Sequence, residues 1–471
     1  MHTRTGGRPA RDRAGVNTQL MRDDRRRASA THFLRARLAH FLRARLAHVC
    51  ALACLMLLAP AHAQENGARR DARFYEREAA KAHEAKDYAA YLENMKAAVQ
   101  LRPDHPRLLY NLAGAHALAG DKAEALRLVA RVASMGLYYP AERDTDFDSV
   151  KDTDEFKSAL RRFAASREPT GTSTTAFVLK ERGLVTEGLA YDPHEKVFYV
   201  SSAYRRKILR VDARGEARDF ATEREGLLSV LGMKVDAKRR HLWVAANANK
   251  LMTGFDASAD GTAAVYRFDL KTGKLAKRYL LANAPRKHGF GDLAVHPNGD
   301  VYVTDSLTPA VYRITRERDE LELFLEDEQL ASPQGLDFSP DGRRLFFADY
   351  SRGLFAVELA TKKLAPLAAP PDASVLGIDG LYFHRGRLVA VQNGTNPHRV
   401  VSVSLNNRQD AVASVAVVEA NNPRFDEPTL GVIVGDTFYY VAASGWGAFD
   451  REGKLAPPER LKEHIVLKVK L

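Results

Sequence analysis

Gln334-Gly335-Leu336-Asp337-Phe338, then Leu345-Phe346-Phe347, then Leu354-Phe355-Ala356-Val357, are three short apolar runs, and the turn-former Ser339-Pro340-Asp341-Gly342 separates the first two. Runs of this length, bounded by Gly, Pro and Asp, read as consecutive β-strands. The same order recurs six times between residues 185 and 471. The opening run is Glu187-Gly188-Leu189, Leu231-Gly232-Met233, Gly291-Asp292-Leu293, Asp379-Gly380-Leu381 and, more loosely, Leu430-Gly431-Val432 in the other five. Second runs stand at 197–200, 242–244, 301–303, 388–391 and 438–441; third runs at 208–211, 265–268, 311–314, 400–403 and 465–469. Short strands repeating every ~40–50 residues are the signature of a β-propeller. Six repeats predict six blades.

Fourth, weaker runs follow at 216–222, 275–281, 321–326 and 412–420, but the last repeat stops after its third. Its missing outer strand is expected from Thr174–Leu179, just ahead of the first repeat. Pairing the two ends of the ring in one blade removes two exposed strand edges.

The 471 residues carry a net charge of +12, a figure that invites a polyanion partner until its location is read. Twelve Arg and three Asp give residues 1–63 a net +9, so the remainder is nearly neutral. That balance argues against nucleic acid. The basic stretch runs into Val49-Cys50-Ala51-Leu52-Ala53-Cys54-Leu55-Met56-Leu57-Leu58 and then Ala61-His62-Ala63 before Gln64. Basic flank, short apolar core and A-x-A predict a secretory signal over 1–63, with translation starting at Met1 or Met21. The expected location is periplasmic or secreted, with no stable membrane span once the signal is removed. Both cysteines, Cys50 and Cys54, fall inside the signal, which leaves the mature chain without thiol or disulfide chemistry.

Residues 64–165 form a second module, rich in Ala, Leu, Glu and Lys at helical spacing from 72 onward. The stretch Leu108-Leu109-Tyr110-Asn111-Leu112-Ala113-Gly114 through Gly120 and Ala125, and more weakly Ala79, Ala82, Tyr88 and Ala98, resemble tetratricopeptide repeats. That resemblance implies paired helices that dock a protein partner. Within this module Asp144, Asp146, Asp148, Asp152 and Glu155 fit the oxygen positions of a calcium-binding loop, but Ser149 stands where the loop needs Gly. Capping of a following helix explains the acidic run better. Residues 166–173 read as a linker and 174–471 as the propeller.

In a propeller the innermost strands line a central channel, and the start of each meets the end of the second strand at one face. This rule gathers Glu187, Gln334 and Asp379 with Asn247, Asp305, Asp349 and Asn393, under a loop bearing Trp446. A small polar ligand is expected there. His288 and His398 lie on loops of the same rim.

Thr186-Glu187-Gly188, Ser332-Pro333-Gln334-Gly335 and Ile378-Asp379-Gly380 resemble the senescence-marker-protein/gluconolactonase/luciferin-regenerating-enzyme family of six-bladed propellers. The resemblance spans the ring and implies a divalent metal, often calcium, held in the channel by one Glu, two Asn and one Asp, and the opening of lactones or related esters. Carried across, Glu187 and Asp379 match, with Asp379 the implied base. Gln334 replaces one Asn with a longer amide. Gly291 replaces the other and offers no side chain, while Asp292 is expected to face away, as alternate residues of a strand do. Two readings follow. One is a module that binds a ligand or partner; the other is a metal-dependent lactone or ester hydrolase.

Overall fold

Five helices open the computed structural model, which describes residues 71–283 and 285–471. They are α1 (Ala72–Glu84), α2 (Tyr88–Leu101), α3 (Pro106–Leu118), α4 (Lys122–Ser134) and α5 (Asp154–Ala165). Each starts where a side chain takes up an otherwise orphaned amide. Asp71 accepts from the Phe74 N–H, Asp87 from Ala90, His105 from Leu108, Asp121 from Glu124 and Thr153 from Phe156. Ala79, Ala98, Ala113 and Ala125 are buried where the helices meet, because small residues allow close approach. The export segment read over 1–63 lies outside the described residues.

The acidic run before α5 serves structure. Asp144 accepts the Tyr110 hydroxyl at 2.7 Å, Asp146 lies 2.8 Å from His83, and Asp154 and Glu155 occupy the first turn of α5. These carboxylates are committed to separate neighbours; of the calcium-loop positions only Glu155 lies in the first turn of α5, whose cap is Thr153.

Six four-stranded antiparallel sheets follow, and they are the six blades. In five of them the chain runs from the innermost strand outward, as in blade one, Thr186–Asp192 to Val197–Ser202, Lys207–Val211 and Ala217–Ala221. Blade six is composite. Gly431–Val434, Thr437–Ala443 and His464–Lys470 take Thr174–Leu179 as their outer strand, with Thr174 opposite Lys468 and Leu179 opposite His464. The chain closes its own ring. Blade four has a fourth strand, Lys363–Pro366, that the sequence hid because it is short, half-buried and ends in Pro. Apolar clusters fill the spaces between blades, among them Leu189, Val200, Val441 and Val466 at the closure.

The helical module and the ring belong to one compact unit, Arg70–Leu471. The buried Arg399 guanidinium bonds Gln392 Oε1 at 2.6 Å and the carbonyl oxygens of Met135 and Gly136 at 3.1 Å each. The Tyr138 N–H reaches the Asn396 oxygen at 2.7 Å, and Arg102 donates to the Ser351 carbonyl. Asn421 bonds Ser166, and Thr170 pairs with Ala420. The helices therefore sit on blades four and five.

Candidate functional site

Five of the six innermost strands carry a β-bulge at the same place: between Thr186 and Leu189, Val230 and Met233, Phe290 and Leu293, Pro333 and Leu336, and Ile378 and Leu381. A bulge places an extra residue against one partner and bends the strand, a device common beside binding sites. The bulges crowd together around the axis. A Cβ at Gly188 would collide with the Leu231 carbonyl, and one at Gly335 with the Asp379 carbonyl. The recurring glycine is a packing requirement.

The residue preceding each bulge glycine is where the channel face acquires its chemistry. Glu187 and Asp379 keep a window to the channel but are otherwise enclosed by protein. Burial, then the nearby Asp379 charge, pushes the Glu187 carboxyl well above its ordinary range, with Glu427 and Asp292 adding to the effect. Asp379 rises for the same first reason, against a hydrogen bond from Asn393, and is pushed up to about 7. Each carboxylate has one oxygen held by a side-chain N–H. The Trp446 indole donates to Glu187 Oε2 at 2.5 Å, and Asn393 Nδ2 donates to Asp379 Oδ2 at 2.8 Å. Tyr350 in turn donates to Asn393 Oδ1 at 3.1 Å.

Gln334 and Gly291 fit each other. Gln334 Oε1 lies 3.1 Å from where a Cβ on Gly291 would stand, so the longer amide uses room that the glycine leaves. Gln334 Nε2 is tied to Ser332 Oγ at 3.1 Å. Asp292 does not face away as a regular strand would have it. The bulge breaks the alternation, and its buried carboxylate contributes to the field at both Glu187 and Asp379. Lys234 Nζ stands 3.7 Å from Asp292 and 4.5 Å from the centre of the Tyr382 ring.

Other residues expected on the rim have structural work. Asp305 is fully buried, accepts the amides of Gly289, Leu307 and Thr308, and lies 2.6 Å from His288 Nδ1. Asp349 is likewise buried and takes the amides of Ala331, Ser332, Ser351 and Arg352. Asn247 is buried against the Phe290 carbonyl. The expectation that these three meet a ligand is corrected: carboxylates and amides at strand ends bond the loop that turns there. His288 is likewise inside the wall, and burial pushes His398 down. Of the expected set, Glu187 is joined to Trp446 and Asp379 to Asn393, the two carboxylates feel each other's charge, and the Gln334 amide lies between Ser332 and the space beside Gly291. Glu427 and Tyr350 were missed, because they sit on loops between repeats and carry no spacing signal.

Among the described residues, no three His, Cys, Asp or Glu side chains converge to hold a metal ion. The available set is instead two carboxylates and one amide oxygen, all hard donors. Each carboxylate is oriented by an N–H behind it, as ligating carboxylates commonly are. Among the described residues no basic side chain forms an ion pair with Glu187 or Asp379, and carboxylate and amide oxygens are the donor type that hard divalent ions take.

Residues 185–366 match the family model of the SMP-30/Gluconolactonase/LRE-like region. That match takes in blades one to four, with Glu187 and Gln334 but not Asp379. No curated protein matches the chain. Solved structures of similar fold include a gluconolactonase from Xanthomonas campestris, 16% identical over 64% of this chain and 89% of that one, TM-score 0.45. A calcium-binding protein, regucalcin, from Agrobacterium tumefaciens is 16% identical over 63% and 93%, TM-score 0.44. A PQQ-bound aldose sugar dehydrogenase from Streptomyces coelicolor is 14% identical over 64% and 99%, TM-score 0.44. At such identities the activities named for those proteins do not transfer. Among the described residues no helix is long and apolar enough to cross a membrane.

Proposed function

We propose that the channel face hydrolyses a lactone or related ester with the help of a divalent cation, calcium being the first candidate. The observation that carries this reading is the pair of enclosed carboxylates, Glu187 and Asp379, each raised by burial and by neighbouring negative charge with no cation opposite among the described residues. Carboxylates held in this way are relieved by a proton or by a metal. Glu187, Asp379 and Gln334 Oε1 would hold the ion, which supplies charge stabilisation to the carbonyl oxygen and acidifies water.

The remaining steps belong to the chain. Asp379 Oδ1, free of the Asn393 bond, takes a proton from water as the oxygen adds to the carbonyl carbon. The same proton passes to the ring oxygen as its bond to that carbon breaks, giving a hydroxy acid. Asn393, fixed by Tyr350 and by the Pro428 carbonyl, keeps the Asp379 carboxylate turned to the channel. Trp446 holds Glu187 from the opposite side.

The test is acid release from a panel of γ- and δ-lactones in the presence of calcium. Asp379→Asn should lower the rate by ~10²–10⁴-fold, the usual contribution of a positioned base. Wild-type rates no faster than spontaneous hydrolysis across the panel would end the reading. The Arg-rich leader, apolar run and Ala61-His62-Ala63 support an exported enzyme beginning at Gln64.

A further inference from the structure

A cavity of about 690 Å³ lies between the helices and the ring. Its ring side includes Tyr350 and Asn393, the latter bonded directly to Asp379. Its helical side is cationic, with Arg73, Arg102 and Arg107 facing a single carboxylate, Glu76. Glu76 is paired with Arg107 at 2.8 Å, and Arg102 is spent in part on the Ser351 carbonyl. Arg352, next in the chain to Ser351, adds a further guanidinium beside Arg102. His105 also lines the cavity, but burial and the neighbouring Arg102 and Arg107 push it down to about 3, so it is neutral and adds no charge.

Three features make this more than a basic patch. The arginines line one half-open recess instead of spreading over a convex surface. They crowd closely enough to hold the Arg102 guanidinium below its ordinary range, after burial itself, through repulsion from Arg352, Arg73 and Arg107. The space abuts the side chains that orient Asp379. Guanidinium groups collected in a partly desolvated cavity bind carboxylate or phosphate through charge-assisted, often bidentate, hydrogen bonds.

We propose that the helical module is the anion-binding wall of the channel site, so that the molecule hydrolysed there carries a carboxylate or phosphate group apart from its reacting ester. The word hydrolysed rests on the reading above; the anion site does not. The helices would then act as part of the binding site, their arginines holding one end of the ligand while Glu187 and Asp379 address the other.

Calorimetric titration of the mature chain with inorganic phosphate and, separately, acetate at constant ionic strength tests the site. Wild type should bind at least one anion, and the side favoured, phosphate or acetate, names the group. Arg73→Gln/Arg107→Gln, both at exposed positions, should weaken that binding by about tenfold or more, and Arg73→Lys/Arg107→Lys should restore most of it. No binding of either anion, or equal binding by the Gln variant, overturns the proposal whatever the lactone assays give. With lactones, the Gln variant should raise KM about tenfold more for acidic than for neutral substrates. An equal effect on both overturns the link to the substrate. Arginine-dependent anion binding without turnover of any lactone would keep the anion site and discard the hydrolase.

Discussion

Two groups of buried charge line the channel of this propeller, and they are built differently. One is Lys234 with Asp292, Asp337 and Tyr382. Here the ammonium sits 3.7 Å from Asp292 and over the Tyr382 ring, and Asp337 accepts the amides of Phe338 and Phe383 at 2.8 Å each. The other is Glu187 with Asp379 and, nearby, Glu427. It holds N–H donors from Trp446 and Asn393 but, among the described residues, no cation. Both are enclosed by protein, so burial does not separate them. The presence of an ammonium does: the first group has one for its two carboxylates, and among the described residues the second has none. A protein that only needed to fill its channel could have placed a second lysine among the carboxylates, as it did for Asp292. Leaving them unbalanced costs stability, and such a cost is retained where a ligand or a reaction makes use of it.

The sharpest way to break this contrast is to remove the internal cation. Lys234→Met should destabilise the fold by about 3–5 kcal/mol, because it strands Asp292 without its buried partner. A melting curve that did not move would mean that the pair is not balanced by Lys234 at all. The opposite sign is expected in the other cluster. In metal-free protein Asp379→Asn should stabilise by ~2–4 kcal/mol near neutral pH, and Glu187→Gln should stabilise as well, since each removes a carboxyl whose charged form burial and negative neighbours disfavour.

That gain should depend on pH in a stated direction. A carboxyl whose folded pKa is raised contributes its full stability below its unfolded value, near 4, and loses it as pH rises through the folded value, about 7 for Asp379. The advantage of Asp379→Asn over wild type should therefore vanish at pH 4 and reach its maximum above pH 7. Chemical denaturation at pH 4, 6 and 8 measures it. A constant difference would mean that the two carboxylates do not share a buried field.

The smallest effect is expected at Gly291. An Asn there would restore the amide of the family pattern, but its Cβ would press on Gln334 Oε1 at 3.1 Å. Gly291→Asn alone should change calcium affinity by less than threefold, and only Gly291→Asn/Gln334→Asn should raise it further, since oxygen count governs affinity in such sites.

How much of this was legible beforehand follows from what each feature encodes. Blades and their closure were written in repeated apolar runs, because every blade must bury the same two faces. Glu187 and Asp379 were picked out because each stands at the start of an innermost strand and matches a residue of the resembled family. Asp292 was misplaced because alternation assumes a regular strand, and no residue type announces the bulge that breaks it. Asp305, Asp349 and Asn247 were read as ligand-facing because a polar strand end looks the same whether it meets a ligand or a loop. The arginine wall was out of reach altogether. Arg73, Arg102 and Arg107 lie more than 240 residues before Tyr350 and Asn393 in the chain, and only the docking of helices onto blades four and five brings them together.

The claim on which the rest depends is that the unbalanced carboxylates hold a cation. Calcium titration by calorimetry at pH 6 and pH 8 addresses it directly. Wild type should bind one ion, more tightly at pH 8, with proton release at pH 6 as Asp379 gives up its proton, and Glu187→Gln/Asp379→Asn should abolish the heat. Absence of binding by wild type at both pH values, or binding that persists in the double variant, would contradict the account.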